Sequence, residues 1–455
     1  MITSSGVSHA ITYSCAMSAL RRLVTAGLTS DGLRNVRRAR HRLVRRMGNG
    51  TMVADFFFQV DDPYGSVSLP FLAALAERLR LTLRLHLVPA PDAAAAPEID
   101  RLADYGRRDA RMLAQTLGLE PIGSGHPTPA QITRAQAIAA AALASEKPVD
   151  VLIAVARACL ADNADQALDA LARKYGAIDE AATAARVAQG ASIRQKLGHY
   201  LGSTTHFEGE FYWGVDRLHY LEARLRAEQP TGEASLCPIL DLRSLPVGVA
   251  GIAKPRLDFY LSFRSPYTMV AAERIGALAE AYGADLRLKF VLPMVMRGLP
   301  VPGAKRMYIT LDTKREAARN GIAFGKIVDP VGLGVERGLA VLHHAIARGR
   351  GLEFARSFLR AAFAEGTDMT TDAGLLPIAA RAGIDADTVR TALADPSWRD
   401  VAEANRADLF ALGLWGVPSF QVDDRPGWLG QDRLWRIEDD LRNALHLPPI
   451  DRITP

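Results

Sequence analysis

The run Asp258-Phe259-Tyr260-Leu261-Ser262-Phe263-Arg264-Ser265-Pro266-Tyr267 sets a β-prone segment directly against a Ser-Pro helix start. Aromatic and aliphatic residues from Leu257 to Phe263 read as a strand. Pro266 suits the first position of a helix, where a missing N–H leaves nothing unpaired. The pattern also stands 203 residues earlier, with Asp55-Phe56-Phe57 against Asp258-Phe259-Tyr260 and Asp62-Pro63-Tyr64 against Ser265-Pro266-Tyr267. Tyr105, Asp109 and Gly118 return at the same offset as Tyr308, Asp312 and Gly321. Nearer the ends the offset becomes 216: Gly214, Asp216, Arg217 and Leu218 match Gly430, Asp432, Arg433 and Leu434, and Pro418 falls opposite Gly202. Long ungapped self-similarity of this kind marks a tandem duplication.

Outward from the corner, each copy reads in the same order. A strand (Phe56–Val60 or Leu257–Phe263) leads to an amphipathic helix (Ser68–Leu79 or Met269–Tyr282) and a second strand (Leu81–Val88 or Asp285–Leu292). An Ala-, Arg- and Leu-rich region of helical period follows, including Ala130–Leu143, Asp150–Leu160, Glu336–Arg348 and Phe354–Glu365. Two short strands, Ser419–Val422 and Gly427–Leu429, and a helix over Gln431–Leu445 close the second copy. The expected class is α/β, with a helical insertion in each copy. The expected organisation is a basic helical leader at 1–50, a first domain at 51–228, a Pro- and Gly-punctuated linker at 229–256 and a second domain at 257–447.

Bulk properties agree. A chain of 455 residues suits two domains of roughly 200 residues each. The overall charge of +5 conceals an imbalance: residues 1–50 hold nine Arg and one acid, Asp31, a net +8 that leaves −3 for residues 51–455. Around Leu33, Val36, Leu43 and Met47 the arginines fall at near-helical spacing. Such a helix either packs beside the first domain as a solvated amphipathic element or touches nucleic acid or anionic lipid. Residues 1–20 lack the basic start of a signal peptide, and no run approaches the roughly 18 apolar residues of a membrane span. Cys15, Cys159 and Cys237 form no Cys-x-x-Cys pair, which fits a reducing cytoplasm.

With the Ser265-Pro266-Tyr267 corner, the later Gly416-Val417-Pro418-Ser419 turn and Gly430-Gln431-Asp432-Arg433-Leu434 in view, the second copy resembles the DsbA-like branch of thioredoxin-fold proteins. Within it, 2-hydroxychromene-2-carboxylate isomerases and kappa-class glutathione transferases are the nearest likeness, over about residues 255–447. The first copy resembles the same family more faintly. The resemblance implies two tandem thioredoxin-like folds and glutathione as cofactor. It makes Ser265 the catalytic residue, its hydroxyl donating to the cofactor thiolate in place of the redox cysteine of other relatives. It implies a cis Pro418 that presents the main chain of Val417, and a γ-glutamyl site at Gln431 and Asp432. From residue type alone, Ser265 equally reads as a helix cap, and Gly-Gln-Asp-Arg as an ordinary helix start.

One loop departs from that family. Where an Asn-bearing loop is expected, this sequence has Met296-Arg297-Gly298-Leu299-Pro300-Val301-Pro302. Arg297 and Lys305 are candidates to compensate, and with Tyr267 and Tyr308 they make up the expected substrate pocket. The alternative for Lys305 and Tyr308 is a solvated helix face. In the first copy Asp62 replaces Ser265, and a carboxylate would repel a thiolate. Asp61 and Asp62 read as helix caps or, alternatively, as an acid/base or cation site. That copy is expected to be a degenerate, structural partner. Adjacent His343 and His344 point to different helix faces, which argues against a metal.

The resulting expectation is a glutathione-dependent isomerase or transferase of a hydrophobic small molecule, with no nucleic acid partner. It is either a monomer whose tandem copies mimic a dimer or a homodimer. The alternatives are a thiol–disulfide oxidoreductase, disfavoured by the missing Cys-x-x-Cys, and a non-catalytic scaffold.

Overall fold

The computed structural model describes residues 22–48, 50–230, 232–242 and 254–452. Residues 1–21, including Cys15 and the segment weighed against a signal peptide, and linker residues 243–253 lie outside the described residues. Packing divides the chain into two units. One holds Arg37–Leu240 with Val301–Tyr308, and the other holds Asp241–Pro300 with Ile309–Ile450 and the described residues before Arg37.

Each unit is built on a four-stranded mixed sheet. In the first, β1 (Met52–Phe58) lies between parallel β2 (Leu81–Leu87) and antiparallel β3 (Thr204–Phe207), and β4 (Glu210–Trp213) completes the order β2-β1-β3-β4. In the second, β5 (Arg256–Leu261), β6 (Asp285–Phe290), β7 (Ser419–Val422) and β8 (Trp428–Leu429) repeat that order and those directions. The central strands are nearly continuous apolar runs because both their faces are covered; Phe56, Phe57, Phe58, Phe259 and Leu261 are fully buried. The helical insertions sit between β2 and β3 and between β6 and β7. At Gly190, in the helix Glu180–Leu197, any Cβ would fall 2.0 Å from the carbonyl oxygen of Leu87, so only glycine lets that helix lie on β2.

Sheet register corrects one sequence alignment. Asp55 pairs with His206 and Phe57 with Thr204, while Asp258 pairs with Gln421 and Tyr260 with Ser419. The offset at β3 and β7 is therefore 215, not 216, and Pro418 corresponds to Ser203 rather than to Gly202. The hydrogen bonds agree: the N–H of Gly430 donates to the carbonyl of Pro418 at 2.8 Å, and that of Gly214 to the carbonyl of Ser203 at 3.0 Å. The 216 offset holds again in β4 and β8, where Tyr212 lies opposite Thr205 and Trp428 opposite Phe420. One residue more in the second hairpin accounts for the slip. The other extra residues of the second copy form an additional helix in its insertion: the helices at 129–142, 148–159, 164–175 and 180–197 face five at 333–347, 351–360, 372–381, 386–394 and 398–411.

The linker does not leave the first unit at once. In the helix Leu218–Arg226, Glu222 is 2% exposed and accepts hydrogen bonds from the N–H groups of Leu236 (2.8 Å) and Cys237 (2.9 Å) and from the Ser235 hydroxyl (2.6 Å). Burial opposes its ionisation, but those donors and Arg226 outweigh burial and hold its pKa below the ordinary glutamate value. Its contribution is complete above about pH 4.3 and fades as pH falls through the lower folded value. Replacing Glu222 with Ala is expected to cost about 2–4 kcal/mol at neutral pH by leaving the buried Cys237 amide and the half-buried Leu236 amide without their acceptor. Amide exchange at Leu236 and Cys237 should quicken in the variant, and the gap from wild type should narrow in acid.

Candidate functional site

Beyond β5 the chain turns through Ser262-Phe263-Arg264 before the helix Pro266–Ala281. Two anchors fix this turn: Phe263 stacks on Phe358 at 4.0 Å, and Arg264 grips both carboxylate oxygens of Asp329 at 2.9–3.1 Å. Ser265 is the N-cap, its Oγ accepting the N–H of Thr268 at 3.2 Å, and Pro266 is the first helical residue. The same hydroxyl donates to the carbonyl of Val417 at 3.1 Å. The Val417–Pro418 peptide bond is cis. Ser419 steadies the turn from below, its hydroxyl donating to the carbonyl of Gly416 at 2.8 Å. The cap and the cross-site bond thus coexist on one oxygen, which faces the partial positive charge of a helix start.

Past β8, Gln431 and Asp432 open a short turn (Gln431–Arg433) that feeds the helix Leu434–Ala444. Gln431 is buried, and its Nε2 donates to Glu316 at 2.8 Å and to Asp432. Its Oε1 accepts from Arg274 at 3.4 Å. Arg274 and Arg319 converge on Asp241, a residue of the linker side of this unit. This polar group replaces apolar residues of the first copy, where Arg274, Glu316 and Gln431 correspond to Phe71, Leu113 and Val215. Sequence reasoning missed Arg274 and Glu316. The signal was present as two apolar-to-charged exchanges at the 203 offset.

The expected pocket residues are divided. Tyr267 donates its hydroxyl to buried Asp312 at 2.7 Å, and Arg315 holds the other oxygen of that carboxylate. Tyr64 and Asp109 form the same 2.7 Å pair in the first copy, so this contact belongs to the shared scaffold. Arg297 lies over the ring of Phe410 at 5.8 Å. Lys305 and Tyr308 belong to Val301–Tyr308, which packs in the other unit. There the Lys305 ammonium donates to the carbonyl of Ala95 at 2.9 Å, with burial lowering its pKa, and Tyr308 meets His199 edge-on at 4.7 Å.

The first copy closes the equivalent corner. Gly202 stands where Val417 does, and a Cβ there would lie 2.7 Å from the Cβ of Gln59 and 3.1 Å from Asp62. Asp62 accepts the N–H of Tyr64, two residues on, at 3.1 Å, but the N-cap of the helix Tyr64–Arg78 is Pro63 and has no side-chain cap, so the expected Asp cap is not formed there. Burial, reinforced by neighbouring Asp61, raises its pKa to about 6 against the pull of Ser203 and the Tyr64 amide; burial raises that of Asp61 as well. Burial also pushes the Cys159 thiol up to about 12 and raises that of Cys237, so neither is a ready thiolate. His343 and His344 go to separate partners, Ser397 and Asp395. Among the described residues no group of three His, Cys, Asp or Glu is arranged to hold a metal.

Residues 256–442 match the family described as DSBA-like thioredoxin domain, and the second unit carries a domain of that family. No curated protein matches the chain. Among solved structures, a 2-hydroxychromene-2-carboxylate isomerase is 21% identical, with 42% of this chain and 95% of that one covered at a TM-score of 0.36. A probable DsbA oxidoreductase from Streptomyces coelicolor is 25% identical, covering 44% and 92% at 0.34. The cytosolic disulfide reductase DsbM from Pseudomonas aeruginosa with GSH is 21% identical, covering 42% and 97% at 0.33.

The Asp62 environment has a measurable sign. Its folded pKa lies above the unfolded value of about 3.9, so it lowers stability as pH rises from about 4 to 6 and no further beyond. Asp62→Asn is therefore expected to stabilise the first unit by on the order of 1 kcal/mol at pH 8 and by little at pH 4, read from urea midpoints at the two pH values.

Proposed function

We propose that the second unit binds glutathione and serves as an isomerase or transferase of a hydrophobic small molecule, with Ser265 as its catalytic residue. The observation that carries this reading is the Ser265 hydroxyl, which accepts from the helix start and reaches the main chain of Val417 at the cis turn. The donor set suits a peptide-like thiol ligand. Val417 offers main-chain pairing of the strand-addition kind, Asp432 offers a carboxylate for an ammonium, and the helix start favours an anion. When bound, glutathione would supply the thiol nucleophile.

Ser265 has one proton to give, now directed at the Val417 carbonyl. Rotation about its C–O bond redirects that proton to an anionic sulfur at the helix start while the oxygen keeps the Thr268 N–H. Such a charge-assisted bond contributes about 1.5–3 kcal/mol. Glu316 and Arg274 hold the Gln431 side chain and so position Asp432 beside it. Tyr267, tethered to Asp312, would line the pocket with its ring. Arg297, turned to Phe410, and Lys305, bonded to Ala95, are weak replacements for the missing Asn loop. We further propose a cytoplasmic location and a tandem arrangement that stands in for a dimer.

Titration calorimetry with reduced glutathione tests the reading. Binding is expected in the millimolar range or tighter, and Asp432→Asn should weaken it about tenfold, the loss of one charge-assisted contact. Thiolate absorbance of the complex against pH should show the bound thiol pKa lowered by about one to two relative to free glutathione, and Ser265→Ala should restore it. Absence of binding at millimolar glutathione would leave a scaffold. Robust insulin reduction by the wild type would point to thiol–disulfide exchange instead.

A further inference from the structure

The helix Asp31–Met47 is mounted the wrong way round for a packed amphipathic element. Its contact with the rest of the Arg37–Leu240 unit is made by charges: Arg38 pairs with Glu210 at 2.6–2.7 Å, Arg42 with Glu228 at 3.4 Å, and Arg45 with Glu208 at 2.8 Å and with Glu228. These positions recur at i, i+4 and i+7 and occupy one narrow face. With Arg34 they are the helix's only positions that are not fully exposed. At 3.6 residues per turn, Leu33, Val36, Leu43, Val44 and Met47 gather on the opposite side, in an arc of about 100°. They face solvent, Val36 at 65%, Leu43 at 59%, Val44 at 62% and Met47 at 79% exposure. Exposed Arg37, Arg40 and Arg46 stand within or beside that stripe.

We propose that this outward face binds an anionic lipid surface and holds the protein at a membrane interface. A half-buried row of ion pairs on the inward side, with an exposed row of Leu, Val and Met opposite, inverts ordinary amphipathic packing, so the apolar row needs a cover from outside. Charge selects the cover. Arg38, Arg42 and Arg45 are already paired with Glu208, Glu210 and Glu228, but exposed Arg40 and Arg46 remain to meet lipid headgroup phosphates while acyl chains meet the apolar stripe. Arg40, in the middle of the stripe, reaches the headgroups along its own stem. Nucleic acid would satisfy the arginines and leave the apolar residues in water. A second copy of the helix would set like charges against each other. Seven arginines in seventeen residues make the helix an interfacial and not a spanning element, and no described helix is long and apolar enough to cross a membrane.

The full chain, mixed with vesicles of phosphatidylcholine alone or with added phosphatidylglycerol, separates these occupants by sedimentation. Binding to the anionic vesicles is expected to exceed binding to the neutral ones at least tenfold and to fall as salt rises. Leu43→Asp with Val44→Asp should abolish it, and Arg40→Gln with Arg46→Gln should weaken it and flatten its salt dependence. All four side chains are exposed, so unchanged far-ultraviolet dichroism and thermal unfolding confirm an intact fold. Equal partition to both vesicle types, or insensitivity to the aspartates, overturns the proposal. Binding that emerges only after deletion of residues 1–21 would assign the face to the chain's own leader. A concentration-dependent dimer lost in the aspartate variant would assign it to a second copy. Duplex DNA binding that survives the aspartates but not the glutamines would assign it to nucleic acid.

Discussion

A single hydroxyl joins the two halves of the second unit's corner. Ser265 Oγ takes one N–H from the helix start and gives its one proton to the carbonyl of Val417, so the segment leaving β5 is tied to the turn that leads into β7. The β5–β7 register carries this arrangement, because pairing Tyr260 with Ser419 brings the cis turn level with the residue that starts the helix. A cap with no proton to donate would satisfy the helix and leave the Val417 carbonyl without that partner. A carboxylate at the same place likewise has no proton to donate. In the first copy it accepts one main-chain N–H, would repel an anion, and is half-buried against Gln59 and Gly202.

Duplication makes this contrast informative. What both copies keep is scaffold: the sheet order, the Tyr–Asp bond from the first helix to the insertion, and the N–H of Gly214 or Gly430 on the strand beside the corner. What only one keeps is a set of groups costly to bury without a reason. Arg274, Glu316 and Gln431 occupy places that Phe71, Leu113 and Val215 fill in the first copy. Apolar packing at those places is the simpler solution for stability, since buried charges recover their desolvation only through good pairing. Their presence beside Asp432 gives that end of the second unit a hydrogen-bonded polar group that the first copy lacks.

The sheet, both central strands and the helix that follows each were legible because apolar runs of the right length and a Pro at each helix start leave little freedom. The β7 span Ser419–Val422 matches its expectation to the residue. The expected helix Gln431–Leu445 instead begins as a tight turn over Gln431–Arg433, since its first residues follow the glycine at φ 102° and not a side-chain cap. Opposing Pro418 to Gly202 failed through one residue of hairpin length, which strand pairing reveals and spacing does not. Lys305 and Tyr308 have a helical period that names a face without naming its neighbour. Their contacts with Ala95 and His199 join residues far apart in sequence, and a one-dimensional pattern holds no record of them.

Glu222 and Glu438 occupy equivalent places in the last helix of each unit, but they have found different company. Glu438 takes the hydroxyl of Tyr282 at 2.9 Å, from inside its own fold. Glu222 draws donors from Ser235, Leu236 and Cys237, thirteen to fifteen residues down the chain. The first unit is therefore finished by a stretch that its secondary structure would assign to a tether. Ending this stretch of the first unit at residue 228 instead of at Leu240 would drop no helix or strand between those points and would still take from the Glu222 carboxylate its donors at Ser235, Leu236 and Cys237. On the linker side the first unit runs to Leu240, and a genetic boundary drawn there would have to respect that end.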